Sequence, residues 1–218
     1  MKKYVSLLFM LMIAAGLLSA CSERPEEQIS SILEEAVKKE QGFEEQQAPI
    51  IESEKEEKEL YGKIIGLSMK EFDQIVKLSD KALENLDNRE KLIDKERKSI
   101  EASKKEFDKV DEKVREIEDK AAKDKAESLQ KSMEERYAAH DSLYASYKKS
   151  LAKDRELYTF FKKKDLKMEE LQAKIDEINA AYEEVIKANE KFNSATEQYN
   201  KDKKLFYKSA GLNSGDKN

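Results

Sequence analysis

Apolar side chains recur along most of this chain three or four residues apart, between positions that are mostly charged. Residues at this spacing share one face of an α-helix, so the pattern predicts long amphipathic helices. The predicted helices cover about 26–45, 50–121, 126–161 and 166–208. No proline follows Pro49, so no proline interrupts a helix in the later segments.

Three of these segments carry the repeat of a coiled coil. The clearest series lies in the last segment, at Met168, Leu171, Ile175, Ile178, Tyr182, Val185, Asn189, Phe192, Thr196, Tyr199 and Phe206. Such a series packs against a partner helix. The repeat in the second segment includes the polar residues Glu96 and Ser103, which predict a narrow or locally loose stretch of packing.

Two short interruptions separate the long helices, at 119–125 and 162–165. Helices joined by short connections generally lie antiparallel. Folding at these turns brings His140 near Asn189 and Tyr147 near Tyr182. The sequence therefore predicts an all-α fold, an elongated antiparallel coiled-coil-like helical bundle. The repeat alone does not separate a monomeric bundle from a dimer.

The first 21 residues have the order of a bacterial lipoprotein signal peptide. Lys2 and Lys3 precede an uncharged apolar stretch at 4–18, which is shorter than the roughly 20 residues of a membrane-spanning helix. Small residues and the chain's one cysteine follow, in a lipobox of Leu18, Ser19, Ala20 and Cys21.

This signal predicts cleavage after residue 20 and a diacylglyceryl group, as in palmitate-bearing lipoproteins, on the thiol of Cys21. Two acyl chains give a stable membrane anchor. Residues 21–25 are then a lipidated tether, the bundle at 26–208 is an ectodomain, and 209–218 are a disordered tail. The predicted location is the outer face of the cytoplasmic membrane, facing the cell wall.

Charge excludes one class of partner. Without residues 1–20 the chain has 40 basic and 47 acidic residues, and this balance gives no indication of nucleic-acid binding. Lipidation of Cys21 leaves no thiol for a disulfide or a thiolate metal site. The sequence also lacks a nucleophile elbow, a glycine-rich phosphate loop and a metal-binding run, so we expect neither a cofactor nor enzyme activity.

His140 is the only histidine, and no Glu–His pair of the di-iron bundle type accompanies it. We interpret His140 and Asn189 as a polar layer that fixes the register of the helices. The tyrosines at seam positions are interpreted as core residues. Phe160, off the seam, and Tyr207, near the end of the last helix, are the aromatic residues that we expect to be exposed.

Sugars have apolar faces on which exposed aromatic rings stack, so Phe160 and Tyr207 are candidate wall contacts. The lysines at the second turn, Lys162, Lys163 and Lys164, are candidate contacts to an anionic wall polymer.

Several stretches carry a family resemblance: LSAC, RPEEQI, LEEAVKKE, FEEQQAPI, EKEEKELYGKIIGLSMKEFDQIVKLSDKAL and SIEASKKEF. Together they resemble the YkyA family of cell-wall-binding lipoproteins from Bacillus-type Gram-positive bacteria, over nearly the whole chain. The resemblance implies the outer face of the cytoplasmic membrane beneath a thick wall, and no catalytic or binding motif comes with it.

These observations lead to one hypothesis and one alternative. The hypothesis is a non-catalytic, lipid-anchored helical protein that binds peptidoglycan or a wall polymer, or that spaces parts of the envelope. In the alternative, the protein is an adaptor whose helical rod docks onto a membrane protein complex or self-associates.

Overall fold

The structure is a computed structural model that describes residues 23–212. Its helices are α1 Pro25–Lys39, α2 Gln41–Ile65, α3 Phe72–Phe107, α4 Val110–Glu116, α5 Lys120–Phe161 and α6 Met168–Ser209, with a 3-10 turn at Met69–Glu71. All regular structure in these residues is helical, and the predicted all-α fold is confirmed. The lipobox residues Leu18, Ser19, Ala20 and Cys21 lie outside the described residues.

Helix α1 begins where the sequence predicts it. Pro25 is the first helical residue, where its missing N–H costs no hydrogen bond, and Glu26 and Glu27 face the positive end of the helix dipole. The helix ends at Lys39, several residues before the predicted end. A short break at Glu40 separates it from α2, and Pro49 lies inside α2 rather than after a helix.

The predicted helix 50–121 is divided into three in the structure. Its first part belongs to α2, the chain turns back after Gly66, and α3 starts at Phe72. Ser68 begins the new helix through a capping box, because Glu71 accepts hydrogen bonds from the backbone N–H and hydroxyl of Ser68. A second interruption at Asp108 and Lys109 separates α3 from α4.

The six helices form four antiparallel rods. Rod 1 contains α1 and α2, rod 2 contains α3 and α4, rod 3 is α5 and rod 4 is α6. Between the first two rods the residue numbers of the paired side chains run in opposite directions, in Glu40–Ser103, Phe43–Ser99 and Ser53–Asn85. Rods 2 and 3 pair in the same manner, as do rods 3 and 4.

Two apolar clusters hold the rods together. One lies at the end where the described chain begins and α6 terminates, and it includes Ile29, Leu33, Phe107, Leu129, Met133, Tyr137 and Phe206. The other lies toward the opposite end, with Leu60, Ile64, Ile75, Leu86, Leu151, Tyr158 and Ile178. Buried polar residues lie between the two clusters, and the candidate site is built from them.

Candidate ligand-binding groove

Rods 1 and 4 touch along only half of their length. Near the first apolar cluster they are joined by the rings of Phe43 and Phe192, whose centroids lie 5.8 Å apart. Arg136 of α5 strengthens the junction: its guanidinium donates to both carboxylate oxygens of Glu40, at 2.8 and 2.7 Å, and to Thr196 of α6 at 3.1 Å. Beyond this point, two cavities lie between α2 and α6.

We call the space between these two helices the α2–α6 groove. Its walls are α2 from Gln47 to Tyr61 and α6 from Ile175 to Asn193, and its floor is formed by α3 and α5. It contains two cavities, of about 470 Å³ near Tyr61 and about 300 Å³ near Phe43. Both sizes suit a small ligand or one segment of a polymer.

A buried ionic cluster lies at the floor of the larger cavity. Nη2 of Arg89 is 2.7 Å from Oε2 of Glu57 and 3.7 Å from Oδ2 of Asp154. The three residues come from α3, α2 and α5, and Arg89 is only 1% exposed. Its Nε–H has no hydrogen-bond acceptor among the described residues. The cluster therefore contains two carboxylates, one guanidinium and one free donor.

Tyrosine hydroxyls complete the cluster. Tyr158 donates to Oε1 of Glu57 at 2.9 Å, and Tyr182 of α6 donates to Oδ2 of Asp154 at 2.7 Å. Burial and the adjacent carboxylates raise the pKa of Tyr158 and of Tyr182, so both remain hydrogen-bond donors at neutral pH.

The carboxyl group of Asp154 has an unusually high pKa. Burial and, after it, the charge of Glu57 raise its pKa from 3.8 to about 7, although the bond from Tyr182 and the charge of Arg89 act in the opposite direction. A carboxyl group in this state exchanges its proton near neutral pH. Groups of this kind, in a cavity and with specific charged neighbours, are typical of functional sites.

The smaller cavity lies above a second buried pair. Nε2 of His140 is 3.2 Å from Oε1 of Glu96, and the imidazole packs edge-on against Phe192 at 5.4 Å between ring centroids. Glu96 and Phe192 line the cavity. The predicted pairing of His140 with Asn189 is wrong. Asn189 is exposed on α6 at the rim of the cavity, and His140 instead contacts the carboxylate of Glu96 in α3.

Two large apolar side chains stand on opposite rims of the groove. Ile51 of α2 is 62% exposed and Ile186 of α6 is 58% exposed. Each lines one of the two cavities. A ligand in the groove would therefore meet apolar rims, aromatic walls and a charged floor, a combination typical of binding sites.

The predicted exposure of two aromatic residues is wrong. Phe160 is 3% exposed, with the ammonium groups of Lys163 and Lys174 over its ring at 5.2 and 5.8 Å. Tyr207 is 6% exposed and accepts a hydrogen bond of 3.1 Å from the hydroxyl of Ser30 in α1. Both lie on helices that pack against more than one neighbour.

The lysines at the second turn are exposed, in agreement with their predicted position. Lys162 pairs with Asp80 of α3 at 2.6 Å, and Lys164 lies over the ring of Phe72 at 5.4 Å. These contacts bring the α5–α6 turn against the start of α3. They place the lysines at the end of the bundle farthest from residue 23.

Other classes of site are absent from the described part of the chain. Residues 23–212 contain no group of three or more histidine, cysteine or acidic residues arranged to hold a metal ion. Within the same residues, no helix combines the length and the apolar character that crossing a bilayer requires.

Comparisons with known proteins show what this chain is similar to. The family model YkyA, described as "Putative cell-wall binding lipoprotein", matches residues 24–209. A Bacillus subtilis (strain 168) protein named "Uncharacterized lipoprotein YkyA" is 36% identical over 161 residues, which are 73% of this chain and 72% of that protein.

A crystal structure of a conserved protein of unknown function from Staphylococcus aureus resembles the fold, with a TM-score of 0.64 at 17% identity. The alignment covers 84% of this chain and 93% of that one. At this identity, the likeness concerns the fold alone.

Proposed function

Because this chain belongs to the YkyA family, whose description is of a cell-wall binding lipoprotein, we propose that it is a non-catalytic envelope protein that binds a wall polymer in the α2–α6 groove. A lipid on Cys21 holds the protein on the outer face of the cytoplasmic membrane. The observation that carries the proposal is the open half of the seam between rods 1 and 4, with its polar floor and apolar rims.

The shape of the groove suits a polymer better than a small free metabolite. Between Gln47 and Tyr61, α2 extends for roughly 20 Å at about 1.5 Å per residue, so the groove accommodates several units of a chain. The rims expose Ile51 and Ile186 along this length. A polymer segment would cover them and bring its polar groups to the floor.

The position of the groove suits a protein anchored at residue 21. The chain enters the bundle beside the end of α6, where Arg24 donates to the carbonyl of Ala210 at 3.5 Å. From Pro25 to Glu57 the rod rises roughly 50 Å at about 1.5 Å per residue. An upright molecule would therefore present the groove well above the membrane, facing the wall.

The lysines at the far end provide a second wall contact in this proposal. Lys162, Lys163 and Lys164 are exposed there, together with Lys63 and Lys70 of the neighbouring turn. An anionic wall polymer would meet them at the tip of the rod. Retention that falls with added salt, and falls less in a Lys163→Ala, Lys164→Ala variant, would identify this contribution.

Retention on peptidoglycan sacculi tests the proposal directly. The protein without residues 1–20 contains both apolar clusters and is the form to use. Ile186→Arg fills the rim of the groove and should abolish most of the retention. Leu205→Arg is the matched control, because Leu205 is an exposed apolar residue of the same helix outside the groove, 39% exposed, and should retain like wild type.

The result also separates the two hypotheses. Wild-type protein that is not retained on sacculi, with or without their anionic polymers, overturns wall binding. Crosslinking in intact cells that then recovers one specific envelope protein would support the adaptor role instead.

A further inference from the structure

The ionic cluster in the groove is short of one positive charge. Nη2 of Arg89 lies 2.7 Å from Oε2 of Glu57. Oδ2 of Asp154 is farther from the same nitrogen, at 3.7 Å. All three side chains are buried. Two buried carboxylates that share one guanidinium carry an uncompensated charge, which is costly in a protein interior.

The cluster is also short of one hydrogen-bond acceptor. Nε of Arg89 is buried and has no partner within residues 23–212, although Arg89 lines the larger cavity of the groove. A buried donor is nearly always paired in a folded protein, so an unpaired one at a cavity indicates a group that arrives from outside. A ligand that satisfies this site therefore brings both a cation and an acceptor.

Aromatic rings surround the same space. Four tyrosines line the larger cavity together with the cluster: Tyr61, Tyr147, Tyr158 and Tyr182. The faces of aromatic rings attract ammonium groups, most strongly where water is excluded. Tyr147 also donates to Glu54 on the rim, which adds a third carboxylate to the lining.

We propose that the wall polymer enters the larger cavity with a peptide segment that carries a free amine. Its ammonium group lies between Glu57 and Asp154 among the tyrosine rings, and a neighbouring carbonyl accepts from Nε of Arg89. This inference rests on the proposed function and names the chemistry of the same site.

Other ligands fit the cavity less well. A neutral sugar would leave the excess carboxylate uncompensated, and an anionic segment would meet Glu54, Glu57 and Asp154 together. The rim residue Lys58 is exposed and far more accessible to water than the cluster, so its charge is largely screened.

The titration of Asp154 supports the inference. Glu57 of α2, Arg89 of α3, Tyr158 of its own helix and Tyr182 of α6 face this carboxyl group. With its pKa raised to about 7 by burial and the charge of Glu57, Asp154 holds a proton below that pH. The ammonium replaces this proton, so affinity should fall as the pH is lowered from about 8 to 6.

A pair of synthetic peptides tests the inference. The probes are acetyl-Ala-Lys-Ala-amide and the same peptide with its lysine amine acetylated, titrated calorimetrically into the protein without residues 1–20. The free amine should bind at least about tenfold more tightly at pH 8. Asp154→Asn should remove that preference, and Asp124→Asn, an exposed aspartate on the same helix, should keep it.

The outcomes are distinguishable from those of the sacculus experiment. Equal binding of the two peptides, or no binding of either, overturns the ammonium inference. Sacculus retention that is lost in Ile186→Arg but unchanged in Asp154→Asn would do the same and leave wall binding in place. Thermal melting of each variant establishes that a loss of affinity is not a loss of fold.

Discussion

Arg89 is the residue on which the middle of the molecule depends. Its guanidinium lies among Glu57, Asp154 and the ring of Tyr147, between the two apolar clusters. An ion pair of this kind contributes little net stability when compared with apolar residues of the same volume. Removal of one partner is different, because the remaining charges stay buried and uncompensated.

We therefore expect Arg89→Met to lower the free energy of unfolding by roughly 3–5 kcal/mol at pH 8. Urea unfolding followed by circular dichroism measures it. Combining Arg89→Met with Glu57→Gln and Asp154→Asn should recover much of the loss, since no buried charge then remains. Lys95→Met, at an exposed site of the same helix, should change stability by less than about 0.5 kcal/mol. Wild-type stability in the single Arg89 variant would contradict this account.

Asp154 makes stability depend on pH with a definite sign. Its pKa is higher in the folded protein, about 7, than its ordinary value of 3.8, so the native state binds a proton that the unfolded state releases. The stabilisation that this bound proton gives the folded state is complete below pH 3.8 and is lost as the pH rises to about 7. The stability difference between wild type and Asp154→Asn should follow this course in urea titrations, and a difference that is constant over the range would refute it.

Residue-scale predictions from the sequence failed where a helix has several neighbours. The heptad pattern predicts that each helix buries one narrow row of side chains, and Phe160 lies outside that row. Because α5 packs against both α3 and α6, it buries a wider part of its surface. The same pattern predicts that charged residues are exposed, so it does not predict the burial of Arg89. Ser103, predicted to loosen the seam, instead bonds Glu40 and the hydroxyl of Tyr137, each at 2.8 Å.

At the scale of elements, the break between α1 and α2 is held by one side chain of α3. The hydroxyl of Ser99 donates to the carbonyl of Lys39 at 2.5 Å and accepts from the N–H of Phe43 at 3.0 Å. It thereby replaces backbone bonds that a continuous helix would make. Gly42 allows this approach, because a Cβ at that position would lie 3.2 Å from Cβ and Oγ of Ser99.

Ser99→Ala should therefore lower the free energy of unfolding by about 1–2 kcal/mol and accelerate amide exchange at Phe43. In this variant the carbonyl of Lys39 loses its partner, and the N–H of Phe43 keeps only its 2.9 Å bond to the carbonyl of Glu40. Ser142→Ala is the control, since that hydroxyl bonds only the Ala138 carbonyl in its own helix, and its effect should stay within about 0.5 kcal/mol. Unchanged exchange at Phe43 would show that Ser99 does not hold the break.

The long helices were predictable and one turn was not. The predicted helix 166–208 has nearly the bounds of α6, because its repeat is long and regular. The predicted helix 126–161 ends with α5 but starts late, since α5 already begins at Lys120, inside the predicted turn 119–125. The turn between α2 and α3 falls inside the predicted helix 50–121, since Gly66 alone does not end a helix. The capping box of Ser68 and Glu71 is the sequence signal that marks the start of the new helix.

At the scale of the whole molecule, the groove exists because the four rods do not close into a ring. Rods 1 and 4 lie farthest apart in the chain, and their contacts end where Phe43, Arg136 and Phe192 fill the space between them. No local pattern reports whether two such distant helices touch. The sequence therefore predicted an antiparallel helical bundle but not the opening, nor the ionic cluster at its floor.

In the proposed function, the placement of the whole molecule depends on Cys21, which lies outside the described residues. In cells, Cys21→Ser should abolish labelling by a fatty acid and release the protein from the membrane fraction, because no acyl chains would remain to hold it and no helix within residues 23–212 is able to span the bilayer. Ser22→Ala leaves the thiol in place and should remain labelled and membrane-bound. Fractionation and metabolic labelling measure both effects. A Cys21→Ser protein that stays with the membrane would show that another part of the chain, or a protein partner, anchors the bundle.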